Sequence, residues 1–282
     1  MIGEHAVLRG SPALVFPLSS ATMHFRFTPN AKGDISLKLS GPHGPELELL
    51  FWGVLEKACA MTGLHRSELS GELEIESRIP VGAGMGASAA FCVAVARWFS
   101  VEGYVAESEI ENFGRQLEDL FHGESSGLDI AVVHGGKPIR FTRAGERKPL
   151  HLQWNPKCYL SYSGQRGVTR ECVNQVKDLG LKDPARGKQL DDQMRDAVAL
   201  AEFALGLPEA DGLPQLEKAL ASAASCFEQW GLVDRLSESK MKDLKARGAQ
   251  VVKPTGSGGG GYLLSLWKEA PAPADDLIAC FR

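Results

Sequence analysis

The first third of the chain alternates apolar and polar residues in several short stretches. Residues 23–27, 35–39 and 73–79 each show this period of two, which is typical of strands that bury one face. Residues 13–18 form a short apolar run after a turn-like Gly-Ser-Pro, and a helix is expected to follow Pro45. The pattern therefore predicts a strand-rich region at the start of the chain.

Helices dominate the prediction for the rest of the chain. Residues 107–121 carry apolar side chains at helical spacing, and further helices are predicted over 89–99, 186–205 and 213–247. A last strand–loop–strand unit is predicted over 251–266, around a run of glycines. We therefore expect a mixed α+β protein with a domain boundary near residues 150–160.

Composition narrows the functional classes. The 282 residues are 44% hydrophobic and 23% charged, with a net charge of −4, which is ordinary for a globular protein. No long basic run indicates a nucleic-acid partner, no apolar stretch reaches the length of a membrane span, and residues 1–20 lack the apolar core of a signal peptide. The six cysteines are scattered without a C-x-x-C pair, so we expect free thiols and a reducing, cytoplasmic location.

A glycine-rich loop over residues 81–88 separates a predicted strand from a predicted helix. Glycines let the backbone approach a ligand closely, and the N–H groups that open a helix attract anions. The order Gly84-x-Gly86-x-x-Ala89 also fits a dinucleotide-binding fingerprint. However, the preceding strand alternates with charged residues, unlike the nearly all-apolar first strand of a dinucleotide fold, and no Lys-Ser/Thr pair follows as in a Walker A loop. The pattern is therefore compatible both with a phosphate-binding loop and with a purely structural turn.

Two acidic residues follow this loop in positions that suggest chemistry. Asp129 lies between Leu128 and Ile130 at the start of an apolar run, where burial of a carboxylate is costly unless a cation or a proton-transfer partner compensates it. Glu118 lies near the end of a predicted helix. Together they would provide an oxygen ligand for Mg²⁺ and an acceptor for a hydroxyl proton. A surface glutamate and an N-capping aspartate are the alternatives.

A second glycine-rich segment, Lys253–Gly261, contains four consecutive glycines between strand-like sequences. Ordering so many glycines has a large conformational-entropy cost, and strand-like sequence resumes at Tyr262. The segment therefore favours close backbone approach to a ligand or another loop over a flexible linker.

Four motifs, in order along the chain, resemble those of the GHMP kinases and in particular of the mevalonate kinase family. Residues 80–90 (PVGAGMGASAA) resemble the family's phosphate loop P-x-G-x-G-L-G-S-S-A-A, and residues 253–261 (KPTGSGGGG) resemble its K-x-T-G-A-G-G-G-G motif. Residues 3–7 (GEHAV) resemble the mevalonate kinase start, and residues 122–129 (HGESSGLD) resemble its H-G-x-P-S-G-x-D stretch.

This resemblance implies a two-domain α+β fold. An S5 domain 2-like N-terminal domain with the phosphate loop would span 1–155, and a ferredoxin-like α+β C-terminal domain would span 156–282. The implied activity is that of an ATP- and Mg²⁺-dependent kinase that phosphorylates the 5-hydroxyl of mevalonate in isoprenoid biosynthesis. The expected partners are therefore ATP and a small alcohol, with no nucleic acid and no membrane, and the expected assembly is a monomer or a homodimer.

The resemblance also implies a role for each matching residue. Asp129 and Ser88 are the expected catalytic residues: Asp129 matches the proposed base for the substrate hydroxyl, and Ser88 matches the serine that joins Mg²⁺ and the ATP phosphates. Glu118 matches the second Mg²⁺ ligand. The expected nucleotide-binding residues are Gly82, Gly84, Met85, Gly86, Ala87, Ser88, Gly256, Gly258 and Gly259. The expected substrate-side residues are Glu4, His5, Ser126, Gly127 and Asp129.

The chain departs from the family pattern at several positions. Ser125 replaces a proline, and Gly167 and Val168 replace a basic residue and a serine within T-G-x-x-R/K-S-T. The family carries P-G-K ahead of G-E-H, whereas only two residues precede Gly3 here, so the natural protein would begin earlier or work without that lysine. The alternative functions are another GHMP small-molecule kinase, of the phosphomevalonate, galactose or homoserine type, a non-catalytic nucleotide- or metabolite-binding relative, and a dinucleotide-dependent oxidoreductase.

Overall fold

The computed structural model describes residues 2–30, 33–42, 44–82, 84–122 and 125–281, with the backbone alone at 44–46, 49 and 122. Within these ranges the strands are β1 (Ala13–Val15), β2 (Met23–Pro29), β3 (Ile35–Ser40), β4 (Gly71–Ser77), β5 (Ile139–Phe141), β6 (Arg147–Pro149), β7 (Cys158–Tyr162), β8 (Ala249–Pro254), β9 (Tyr262–Trp267) and β10 (Ile278–Ala279). The helices are α1 (Gly44–Thr62), α2 (Ala87–Val101), α3 (Ile110–His122), α4 (Leu128–Gly135), α5 (Thr169–Lys182), α6 (Pro184–Leu205), α7 (Glu209–Gln229) and α8 (Arg235–Ala246). None of these described helices is long and apolar enough to cross a membrane.

The chain divides into two compact units that alternate along the sequence. The central unit comprises Ala21–Val81 and Met85–Gly136. The flanking unit comprises Met1–Ser20, Gly82–Gly84 and Lys137–Arg282, and so takes residues from both ends of the chain. The sequence-based division into domains 1–155 and 156–282 stays a prediction.

In the central unit, a three-stranded sheet packs against helices. Strand β4 lies in the middle, antiparallel to β2 and parallel to β3. Its Leu73 and Ile75 are fully buried, whereas the intervening glutamates are half-buried or exposed, so the alternation predicted from the sequence is confirmed. Phe51 of α1 and Phe91 and Phe99 of α2 are buried in the same core.

In the flanking unit, a four-stranded antiparallel sheet is covered on both faces. The strand order is β10-β7-β9-β8, and a smaller sheet of order β1-β5-β6 belongs to the same unit. Leu264 and Leu266 of β9 pack with residues of α6 and α7, while Leu263 and Trp267 pack with Met241 of α8. Because both of its faces are buried, β9 is apolar with little alternation.

The helices of the flanking unit differ from the prediction in two places. The predicted helical range 213–247 is interrupted, since α7 ends at Gln229 and α8 begins at Arg235. Gly231 takes a φ of +71° between them, and the Asp234 carboxylate caps α8 by accepting hydrogen bonds from two of its first backbone N–H groups. Helix α5 has no counterpart in the prediction.

The cysteines contribute to packing as free thiols. Cys92 lies in the core of the central unit, and Cys158 and Cys226 lie in the core of the flanking unit. Burial raises the pKa of each of these three thiols well above the ordinary value. They therefore remain protonated at neutral pH.

Gly212 in α7 provides a test of helix packing in the flanking unit. A Cβ atom at this position would lie 2.4 Å from the Ala204 carbonyl oxygen and 2.8 Å from Trp154 Nε1, which itself donates to that oxygen. Alanine usually stabilises a helix by about 1 kcal/mol over glycine. We nevertheless expect Gly212→Ala to lower the free energy of unfolding, measured in urea, by about 1–3 kcal/mol, because overpacking displaces these groups.

Gly180→Ala is the matched control for this variant. Gly180 lies in α5 of the same unit, and a Cβ there would meet nothing within 4 Å. This control should therefore be at least as stable as the parent protein. A Gly212→Ala variant no less stable than the Gly180→Ala control would contradict the packing described for α7.

Candidate functional site

The first glycine-rich loop lies between β4 and α2, and its glycines adopt backbone angles that residues with side chains rarely adopt. Gly82, Gly84 and Gly86 have φ angles of +70°, +79° and +70°, and Ala83 lies outside the described residues. Gly86 is the N-cap of α2, and the Ala90 N–H donates to the Gly86 carbonyl oxygen, so the N–H groups that lack an intrahelical acceptor are those of the first turn before Ala90. The loop therefore ends in a set of donors, at the positive end of a helix dipole, that suits a phosphate anion.

Helix α3 of the central unit carries a buried carboxylate. Glu118 is only 3% exposed, its Oε1 accepts a hydrogen bond from Ser88 Oγ at 3.4 Å, and its Oε2 accepts one from Ser125 Oγ. Burial raises the pKa of Glu118, and the hydrogen bonds from the two serines oppose that shift. The sequence marked Ser125 only as the replacement of a proline, yet a proline could not donate this hydrogen bond.

Asp129 lies in the first turn of α4, beside the start of α2. Gly127 is the N-cap of α4 with a φ of +75°, and Ser126 Oγ accepts a backbone N–H of this helix at 3.2 Å. The Asp129 Cβ is 4.0 Å from the position that a Cβ on Gly86 would take. The predicted base therefore lies next to the end of the glycine-rich loop. Residues 123–124 of the same motif lie outside the described residues.

In the flanking unit, the segment Lys253–Gly261 connects β8 to β9 as an ordered turn. The Gly261 N–H donates to the Gln165 carbonyl at 2.8 Å, which ties the end of the turn to the stretch before α5. A Cβ on Gly256 would lie 3.4 Å from Gly84 Cα. The glycines of the segment thus allow backbone to approach backbone, and a flexible linker is excluded.

Glu4 and His5 are buried against this turn. Glu4 forms an ion pair of 2.7 Å with Lys253, and the two side chains are 2% and 0% exposed. His5 Nε2 donates to the Ser257 carbonyl oxygen at 2.8 Å. The pKa of His5 is lowered to about 4, chiefly because burial removes water from the charged imidazolium. Both side chains therefore contact the turn, and His5 is neutral at pH 7.

Steric crowding explains why position 167 holds a glycine rather than a basic residue. A Cβ at this position would lie 2.4 Å from the Gly258 carbonyl oxygen, so the basic residue expected here from the family pattern would require the turn to move. The neighbouring Arg166 supplies a guanidinium side chain, and its Cδ lies 3.7 Å from the position that a Cβ on Gly82 would take. A cation is thus found one residue before the expected position.

The predicted site residues fall into two groups. The central unit contains Met85, Gly86, Ala87, Ser88, Glu118, Ser126, Gly127 and Asp129, and the flanking unit contains Glu4, His5, Gly82, Gly84, Gly256, Gly258 and Gly259. The described contacts connect Ser88 with Glu118 and Gly86 with Asp129 in the first group. Across the described part of the chain, no three or more His, Cys, Asp or Glu side chains are grouped to hold a metal ion.

Known proteins of one superfamily are similar to this chain in sequence and in fold. A family model for the GHMP kinases N terminal domain matches residues 50–136. The mevalonate kinases of Pyrococcus horikoshii and Pyrococcus abyssi are 28% and 29% identical to this chain, and each match covers 94% of this chain and 85% of the relative. The crystal structure of L. major mevalonate kinase in complex with R-mevalonate has a TM-score of 0.77 at 22% identity and covers 95% of this chain and 84% of that chain. The predicted α+β fold class is confirmed by this likeness.

Acid should weaken the fold through His5. Histidine has an ordinary pKa of 6.5, whereas that of folded His5 is about 4, so the stability contributed by the neutral ring is complete above pH 6.5 and is lost as the pH falls toward 4. Linkage gives a loss of about 2 kcal/mol between pH 7 and pH 5. Over this range the free energy of unfolding of the parent should fall by about that much more than the free energy of unfolding of His5→Gln.

Urea unfolding of both proteins at several pH values measures this difference. The comparison cancels the other titrating groups, because the two proteins differ only at residue 5. Equal pH dependence in the two proteins would show that His5 is not held neutral by burial.

Proposed function

We propose that this chain is a mevalonate kinase of the GHMP kinase type, which transfers the γ-phosphoryl group of ATP to the 5-hydroxyl of mevalonate and gives 5-phosphomevalonate and ADP; the similarity to curated mevalonate kinases supports this proposal. One observation supports the chemistry most directly. In the central unit, Asp129 lies beside Gly86 at the start of α2, and Ser88 in the first turn of that helix contacts the buried Glu118. A proton acceptor, a phosphate-binding helix start and an oxygen-ligand pair thus occur in one unit.

Phosphate binding falls mainly to backbone groups in this proposal. The N–H groups at the start of α2 have no intrahelical acceptors and would donate to phosphate oxygens. The positive φ angles of Gly84 and Gly86 allow the loop to turn closely around the phosphates, because no Cβ obstructs it. Such positioning is most of what phosphoryl transfer requires of a protein.

Ser88 and Glu118 fit the Mg²⁺ that accompanies ATP. Both present hard oxygen atoms, and Mg²⁺ is usually held by one or two carboxylates together with substrate phosphates rather than by a full cage of side chains. When bound, the ion would neutralise phosphate charge.

Asp129 would accept the proton of the substrate hydroxyl. As that proton moves to the carboxylate, the hydroxyl oxygen bonds to the γ-phosphorus and the bond from phosphorus to the β–γ bridging oxygen breaks, which releases ADP. The position of Asp129 in the first turn of α4, next to Gly86, suits this role because the acceptor lies close to the phosphate loop.

A second candidate is a GHMP kinase that phosphorylates another alcohol. The observation that favours it is Gly167, where the Gly258 carbonyl oxygen leaves no room for the expected basic side chain. Initial rates with mevalonate, phosphomevalonate, galactose and homoserine at fixed ATP and Mg²⁺ distinguish the candidates. The proposal requires the highest kcat/KM with mevalonate, and no turnover with any of the four alcohols would indicate a non-catalytic relative.

Asp129→Asn should abolish most turnover while leaving nucleotide affinity almost unchanged. The amide keeps the shape of the side chain but cannot accept the proton, and loss of a general base costs about 10²–10⁴-fold in kcat. Steady-state kinetics and calorimetric binding of a non-hydrolysable ATP analogue measure the two quantities. Asp119→Asn is the control, because the Asp119 carboxylate accepts the Ser125 backbone N–H and an amide oxygen can do the same. A near-parental kcat for Asp129→Asn would remove this residue from the mechanism.

Glu118→Gln should raise the Mg²⁺ concentration needed for half-maximal activity. A neutral amide oxygen is a weaker ligand for a hard cation than a carboxylate oxygen, so we expect an increase of about tenfold or more, in line with the loss of a charged ligand. Titration of activity with Mg²⁺ at saturating ATP measures the change. The exposed Glu109, changed to glutamine, serves as the control, and identical Mg²⁺ curves for the two variants would show that Glu118 does not bind the ion.

A further inference from the structure

We propose that Ser125 is a positioning residue that orients the Glu118 carboxylate for the Mg²⁺ ion of the bound nucleotide. This inference rests on the proposed function, since that function assigns Mg²⁺ to Glu118 and Ser88. All three residues belong to the central unit, which comprises Ala21–Val81 and Met85–Gly136. Because the family motif has a proline where this chain has Ser125, the role follows from this chain's own sequence and not from the motif.

Ser125 is enclosed between α3 and the start of α4. The residue is 5% exposed, and its backbone N–H donates to Asp119 Oδ1 at 2.8 Å. Its hydroxyl oxygen accepts the backbone N–H of Gly127, the N-cap of α4, at 3.0 Å. One contact fixes the backbone and the other fixes the hydroxyl oxygen, so the side chain has little freedom to turn away from Glu118.

The hydroxyl proton of Ser125 is directed at the Glu118 carboxylate. A serine hydroxyl has a single proton to donate, and Ser125 Oγ donates it to Glu118 Oε2. A hydrogen bond to a charged group is stronger than one between neutral groups. The carboxylate therefore cannot rotate about its Cγ–Cδ bond without losing this contact.

The other carboxylate oxygen faces the start of α2. Glu118 Oε1 accepts a hydrogen bond from Ser88 Oγ, which is 3.4 Å away, and Ser88 lies in the first turn of α2. Mg²⁺ binds its oxygen ligands at about 2.0–2.1 Å, so two oxygens at this separation can be ligands of one ion. By holding Oε2, Ser125 leaves Oε1 beside the serine hydroxyl, at the end of α2 that would bind the phosphates.

A proline at this position could form none of these hydrogen bonds. Proline has no N–H and no hydroxyl, so it would remove the donors to Asp119 and Glu118 and the acceptor for Gly127. Proline would restrict the chain by fixing φ instead. The serine thus connects the carboxylate on α3 to the start of α4, where Asp129 lies, through contacts that the proline of the motif cannot provide.

The Mg²⁺ dependence of nucleotide binding tests this role. The Kd of a non-hydrolysable ATP analogue is measured by calorimetry at saturating Mg²⁺ and in EDTA. For Ser125→Ala we expect the Kd in Mg²⁺ to rise about five- to tenfold, because the carboxylate is no longer held, and the Kd in EDTA to stay within about twofold of the parent. A contact that only joined α3 to α4 would weaken binding equally in both conditions.

Three further variants accompany Ser125→Ala. Ser125→Thr keeps the hydroxyl and should bind the analogue in Mg²⁺ within about threefold of the parent. Ser125→Cys keeps nearly the same shape with a much weaker donor, so it should resemble the alanine variant and replaces that variant if it does not fold. Ser36→Ala is the matched control, because it removes a serine hydroxyl of the same unit that donates to the Gly71 carbonyl oxygen at 3.4 Å. Thermal melting of each protein confirms that folded states are compared.

A double variant tests whether Ser125 acts through Glu118. In the Glu118→Gln background, Ser125→Ala should raise the Kd in Mg²⁺ by less than about twofold, because the carboxylate that it positions is already lost. Effects that multiply in the double variant would show that the two residues act independently and would overturn the proposal. A parental Kd in Mg²⁺ for folded Ser125→Ala, or an equal loss of affinity in EDTA, would overturn it as well.

Failure of this inference and failure of the proposed function are distinguishable. Binding of the analogue requires no turnover, so a parent that binds it with Mg²⁺ but phosphorylates no mevalonate would defeat the proposed function and leave the test of Ser125 intact. Conversely, parental binding by Glu118→Gln in Mg²⁺ would overturn the role of Ser125, whichever alcohol the parent phosphorylates.

Discussion

Close approach of backbone to backbone, between Gly84 and Gly256, is the constraint on which the flanking part of the site depends. Both residues have positive φ angles, which side chains disfavour, and a Cβ on either would lie in van der Waals contact with the other segment. The glycines themselves provide little enthalpy to hold this contact, and ordering them is entropically costly. The ion pair between Lys253 and Glu4 and the hydrogen bond from His5 to the Ser257 carbonyl oxygen hold the turn in place and offset that entropic cost.

The central unit meets a different constraint, which is the burial of a carboxylate. Glu118 is enclosed in a mainly apolar core and has two serine hydroxyls as hydrogen-bond donors. Hydroxyl groups reduce the desolvation cost but do not supply a countercharge. Burial therefore raises the pKa of Glu118, and the hydrogen bonds from the two serines oppose that shift.

The sequence revealed those features whose signal is local. The glycines of residues 81–88 and 253–261 are visible because few other roles justify such composition, and Asp129 is visible because an acidic residue at the start of an apolar run requires compensation. The partnership of Glu4 with Lys253 spans 249 positions, so no local pattern could reveal it. Ser125 was visible only as a departure from a motif, because its significance depends on where Glu118 points. Helix α5 escaped prediction since only Cys172 and Val176 of its residues are buried, which leaves a weak apolar stripe.

The buried thiols of both units provide an internal reporter of local opening. Cys92 belongs to the central unit and Cys158 and Cys226 belong to the flanking unit, and in each the protonated, enclosed sulfur is unreactive. An alkylating reagent would therefore modify these residues only during transient exposure. Mass spectrometry of the labelled peptides would give the rate of alkylation of each cysteine, and so the rate of transient opening of each core. The natural cysteines serve as the probes, so no substitution is needed.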